Sequence, residues 1–122
     1  LFNGAIKRAE EAKRQMERGA YEGVHNNLIK AQDIIAELRG ALNMQAGSIS
    51  ESLDRIYEYF QHLLIDANIR KDTAPIDECL TLMTQIRDAW QELFDQLAKE
   101  GQAPSSKPAN NPHGASLLNL QG

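Results

Sequence analysis

One cysteine, Cys79, is all the sequence holds, so no internal disulfide can form, which fits a reducing compartment. No apolar run approaches the roughly 20 residues that a membrane span needs. Nor is there an N-terminal stretch with the basic and apolar regions of a secretory signal; the chain opens Leu1-Phe2-Asn3-Gly4 and, lacking Met, looks truncated. Basic charge is in the minority, 13 Lys and Arg against 17 Asp and Glu for a net −4, which argues against nucleic acid as the main partner. Strand-like alternation is missing before residue 100, and the glycines are too scattered for a phosphate-cradling loop.

What is present is helical period, in four segments. The first keeps Phe2, Ile6, Ala9, Ala12 and Met16 on one face and stops near Gly19. In the second, Val24, Leu28, Ala31, Ile35, Leu38 and Leu42 recur at heptad-like steps, with Gly40 a late interruption. A loop, "NMQAGS", precedes Ser48-Ile49-Ser50-Glu51, which has the form of a capping box. The third seam is then Ile49, Leu53, Ile56, Phe60, Leu63 and Ala67. The fourth helix opens near Thr73, whose hydroxyl can cap it, with Pro75 in the first turn. Its seam is Ile76, Cys79, Met83, Ile86, Trp90, Leu93 and Leu97.

Short loops between long amphipathic helices make antiparallel neighbours, so an all-α, up-down four-helix bundle is expected over residues 1–100. From residue 101 to 122 the composition changes. "QAPSSKPANNPHG" has no apolar period and is expected to be a disordered tail. Leu117, Leu118 and Leu120 follow it, too few to fold alone but able to dock.

Catalytic chemistry finds little support. His62 sits inside a long helix, as in a histidine phosphotransfer domain, but Leu63, Leu64 and Ile65 follow it where such domains place small and basic residues. Glu58 and His62 are four apart, not the three of a dimetal Glu-x-x-His motif, and His25 and His113 lack metal-ligand spacing. Asp77 and Glu78 beside Cys79 would raise a thiol pKa, so Cys79 is expected to be a small core residue. No catalytic, cofactor or metal residue is therefore assigned. Binding remains. Ile29 and Ile34 flank the second seam, Tyr57, Leu64 and Ile69 the third, and Leu80, Leu82 and Phe94 the fourth. They either widen the core or line an apolar groove for an amphipathic partner.

The motifs "NLIKAQDIIAEL" (27–38), "LLIDANIRKD" (63–72) and "IRDAWQEL" (86–93), with the opening "LFNGAI", closely resemble the flagellar secretion chaperone family, FliS, from Leu1 to about Leu97. The resemblance implies a non-enzymatic, cytoplasmic bundle that binds the disordered C-terminal segment of flagellin. Binding would prevent premature polymerisation and present the subunit to the flagellar type III export apparatus. It also implies an N-terminal arm over part of the client groove, which is absent here and whose loss leaves a weak homodimer open. Client-binding residues are expected at Asn27, Lys30, Ile34, Tyr57, Leu64, Asn68 and Arg70. The Asn27 and Asn68 amides could hold backbone groups of an irregular client or tie loops between helices.

Overall fold

The computed structural model describes residues 1–43, 45 and 47–101. Four helices account for nearly all of them: α1 (Phe2–Glu17), α2 (Tyr21–Gly40), α3 (Ser48–Arg70) and α4 (Thr73–Gly101). No strand occurs among the described residues. Packing joins α1 to α2, α2 to α3, α3 to α4 and α4 back to α1, a closed ring of antiparallel neighbours. The up-down bundle expected from the periodicity is the fold found. The expected tail, with Leu117, Leu118 and Leu120, lies outside the described residues.

The turns are set by local chemistry. Gly19, at φ +74, is the left-handed residue that closes α1; Ala20 N–H donates to the Gln15 carbonyl at 2.9 Å and Gly19 N–H to that of Met16 at 3.1 Å. Both bonds satisfy carbonyls the helix end would otherwise leave bare. The α3–α4 turn is tighter, with Lys71 as a left-handed C-cap at φ 49. Two expected caps are corrected. Ser48 is already helical and makes no side-chain cap, because Gly47 holds the N-cap position. Thr73 is likewise the first helical residue of α4, and the cap is Asp72, whose Oδ1 accepts from Ala74 N–H at 2.9 Å. Pro75 falls in the first turn as expected.

The core contains the expected seams of α1 and of α2 as far as Leu38, with Ile76, Cys79 and Met83 from α4. On α3 the expected seam is rotated. Its buried stripe runs Ser50, Leu53, Tyr57, Phe60, Leu64 and Ala67, with Leu63 at the edge, while Ile49 is exposed and Ile56 half-buried. A shift of one residue turns a helix by 100°, yet both stripes share Leu53, Phe60 and Ala67 and both keep heptad steps. The spacing alone could not choose between them. Along α4 the seam fades past Met83: Ile86, Trp90 and Leu93 are half-buried and Leu97 is exposed.

Candidate functional site

α3 sits between α2 and α4, and its two flanks differ. On the α2 side, Arg39 closes the outer seam. Its guanidinium donates to both Asp54 oxygens, at 2.6 and 3.3 Å, to Glu58 at 2.8 Å and to Gln61 at 3.1 Å. Asp54 first and Glu58 second hold Arg39 above the usual guanidinium range, and Arg39 in turn draws the Asp54 carboxyl below its ordinary value.

The α4 side is apolar and open. One hollow of ≈ 350 Å³ lies between Ser48, Ile49, Ser52 and Leu53 of α3 and Ala89, Trp90 and Leu93 of α4. A second, of ≈ 250 Å³, is lined by Arg55, Ile56, Tyr59 and Phe60 with Leu82, Gln85 and Ile86. At the far end of this groove the Tyr59 hydroxyl donates to the Glu78 carboxylate. On its outward side α3 also bares Ile65 (44% exposed) and Ile69 (77%). Apolar side chains left in water as a contiguous patch mark a surface that meets something.

The expected site residues divide. Tyr57 and Leu64, expected to flank the seam and face a client, are 1% and 0% exposed and belong to the core. Burial pushes the Tyr57 hydroxyl up to about 12. The correction follows from the rotated stripe on α3. Asn27 is also buried, and it ties helices together: its Nδ2 donates to the Gly23 carbonyl at 2.9 Å, and its Oδ1 accepts from Arg8 at 3.3 Å. Ile34 is half-buried against the core near Gly4, and Lys30 is exposed on α2. Asn68 and Arg70 sit at the α3–α4 end. Arg70 pairs with Asp66 at 3.1 Å and Asp72 at 2.7 Å, and Asn68 contacts Lys71 and His25. These seven residues do not gather into one surface.

Sequence reasoning passed over Ile49, Tyr59 and Ile65 as surface residues. A signal existed for two of them: assigning Tyr57 to the seam would have rotated Ile49 and Tyr59 outward. His62 is exposed, and the leucines beside it turn into the core rather than wall it off. Cys79 is fully buried, its thiol pushed up to about 12 by burial first and by Glu78 second.

The sequence pattern of the family described as "Flagellar protein FliS" matches residues 1–97 of this chain. The chain belongs to the FliS family. It is 36% identical over 100 residues to the flagellar secretion chaperone FliS of Bacillus subtilis, covering 82% of this chain and 74% of that protein. Against the flagellar secretion chaperone FliS of Vibrio cholerae it is 32% identical over 94 residues, 76% of this chain and 69% of the relative. The FliS of Escherichia coli matches at 32% over 94 residues, 75% and 69% of the two chains. This is a family of secretion chaperones and not of enzymes, which removes the reading of His62 as a phosphoryl acceptor. No described helix is long and apolar enough to cross a membrane.

Proposed function

We propose that this chain is a cytoplasmic export chaperone for flagellin. Residues 1–100 form the binding domain, and residues 101–122 a tail beyond it. The domain binds the C-terminal segment of flagellin, which is disordered when free, and covers the apolar faces through which subunits polymerise. The bound subunit is then passed to the flagellar export apparatus.

One observation carries the reading: α3 holds apolar side chains to solvent along most of its length. Ile49, Tyr59, Ile65 and Ile69 are 43%, 42%, 44% and 77% exposed, although the same helix supplies a full inner stripe to the core. Ile49 and Tyr59 border the α4 groove, while Ile65 and Ile69 lie further round the outer face. A client that wraps α3 from the groove across that face would cover all four, exchanging self-association for burial on the chaperone. Asn68 and Arg70, beside Ile69 on α3, would meet polar groups at the edge of such a client; Asn27, Tyr57 and Leu64 act through the bundle instead.

Calorimetry with a flagellin C-terminal peptide tests this. Ile65→Asp/Ile69→Asp should weaken binding at least about tenfold, since each isoleucine loses burial worth ~1.5–3 kcal/mol, while thermal melts stay close to the parent. Unchanged affinity in the double variant would remove the α3 surface from client binding. Absence of heat with the parent at two well-separated temperatures would remove flagellin itself.

A further inference from the structure

The outer seam between α2 and α3 is framed at both ends. His25 meets Asn68 at one end, and Arg39 meets Asp54, Glu58 and Gln61 at the other. Equal stretches of chain separate His25 from Arg39 and Asn68 from Asp54, so one antiparallel register holds along the whole seam. On α2, steps of four and three lead from His25 through Ile29, Gln32 and Ala36 to Arg39. On α3 the same steps run from Asp54 through Glu58, Gln61 and Ile65 to Asn68. Ile29 and Ile65 therefore sit at one level on neighbouring stripes, and Tyr21 and Ile69 carry the patch past the His25–Asn68 bridge. These four are half of the eight large apolar residues left exposed among those described. They share one seam.

We propose that this face takes a helical segment of the client whose apolar stripe is flanked by Lys and Arg. The fold of the occupant follows from the seam. Two paired helices offer no strand edge, so a ligand lying along them must satisfy its backbone groups within its own helix. From Tyr21 to Ala36 the seam runs ~22 Å, about four turns of such a helix. Its charge follows from the flanks. Glu22 and Asp33, both exposed, lie a heptad before Ile29 and one turn after it, and exposed Glu58 lies a heptad before Ile65. The guanidiniums on this side are already shared among acids, Arg39 with Asp54 and Glu58, Arg70 with Asp66 and Asp72. Lys71 donates to Asn68 at the edge of the patch. Lys30, three residues past the Arg8 partner Asn27, belongs to the α1 flank. Acids thus outnumber cations around the patch, and a basic helix complements it.

A second copy of the chain fits less well. Face to face it would bring acid onto acid, and its basic α1 exposes no large apolar side chain to fill the seam. An anionic lipid surface is repelled for the same reason. The chemistry of the helix is argued from the face alone; its assignment to flagellin rests on the client reading above.

Three probes test this on the full chain by fluorescence anisotropy: a designed Leu/Lys amphipathic helical peptide, its Leu/Glu counterpart and a flagellin C-terminal peptide. The Lys peptide should bind at least about tenfold more tightly than the Glu peptide, and the flagellin peptide should displace it. Ile29→Asp/Ile65→Asp should lose about tenfold in affinity for the Lys peptide although it adds two negative charges. Glu22→Lys/Asp33→Lys, at solvent-exposed positions, should abolish the preference for the Lys peptide. Equal binding of the Lys peptide by the parent and the isoleucine variant overturns the proposal, because charge alone would then hold it. So does an unchanged preference in Glu22→Lys/Asp33→Lys. A flagellin peptide that binds without displacing the Lys peptide leaves the client reading standing and refutes the assignment of the helix to flagellin. One that does not bind at all removes the reading and the assignment together, while the Lys and Glu peptides still decide the chemistry of the face.

Discussion

Asn68 of α3 and His25 of α2 meet across the end of the bundle, Asn68 Nδ2 lying 2.9 Å from His25 Nδ1. Lys71 fixes the direction of that contact. Its ammonium has only donors and sits on Asn68 Oδ1, so the amide presents its NH₂ to the imidazole. His25 Nδ1 must accept, and its ring proton resides on Nε2. Nitrogen–proton correlation spectra at alkaline pH should show the Nε2–H tautomer. In Asn68→Asp, which offers only acceptors, the Nδ1–H form should gain. The same tautomer in both proteins would mean that this contact does not hold in solution.

Asn27 and Lys30 are three residues apart and should behave differently. Asn27→Ala strips a buried residue of two hydrogen bonds, leaving the Gly23 carbonyl and Arg8 without that partner, at a cost of about 1–2 kcal/mol of folding stability. Lys30→Ala should shift urea unfolding by less than ~0.5 kcal/mol. A weakened client complex per folded Asn27→Ala molecule would give the amide a contact with the client after all.

Tyr57 and Leu64 supply a direct test of the rotated α3 stripe. Tyr57→Ala should cost about 3–5 kcal/mol and Leu64→Ala about 2–5, against less than ~1 for Ile69→Ala on the same helix. Denaturant titrations that find Ile69→Ala as damaging as Leu64→Ala would place the seam elsewhere.

Cys79 should be inert in the folded protein. Its thiol is fully buried and pushed up to about 12, whereas the unfolded thiol ionises near ~8.5. A thiol reagent at neutral pH should react at the rate of opening, and at once in denaturant. The same shift makes the unfolded state lose its proton first, so this contribution is complete below pH ~8.5 and is lost as pH rises toward the folded value. Cys79→Ala should therefore have a flatter alkaline limb of stability than the parent. Equal slopes would show that the thiol is not buried when the chain is folded.

Asp54 works at the opposite end of the scale. Arg39 first, through its hydrogen bonds, holds the folded carboxyl below its ordinary 3.8. Between the folded and unfolded values the unfolded chain binds the extra proton, so the contribution exists above the unfolded pKa and fades as pH falls through the folded one. Unfolding of Asp54→Asn should show a shallower loss of stability below about pH 4. Matched acid limbs would mean that the ion pair does not persist.

The four helices, their order and their turns at Gly19 and Pro75 were legible because each is a local matter. Heptad steps, a glycine able to take positive φ and a proline tolerated in a first turn act within a few residues. The family was legible for a related reason, since its motifs fall on successive helices in register. Which face of α3 turns inward was not legible. Apolar residues lie on both of its flanks, and the choice between Ile56 and Tyr57 is made by where α2 and α4 press against it, which also buries Leu63 and Leu64 together. The roles of Asn27 and Asn68 were undecided for the same reason, because their partners Arg8 and His25 are 19 and 43 residues away. Sequence thus determined the helices and the family through short-range periodicity. Only tertiary packing decided which apolar residues become core and which remain on the surface, since burial depends on neighbours that the chain brings together from a distance.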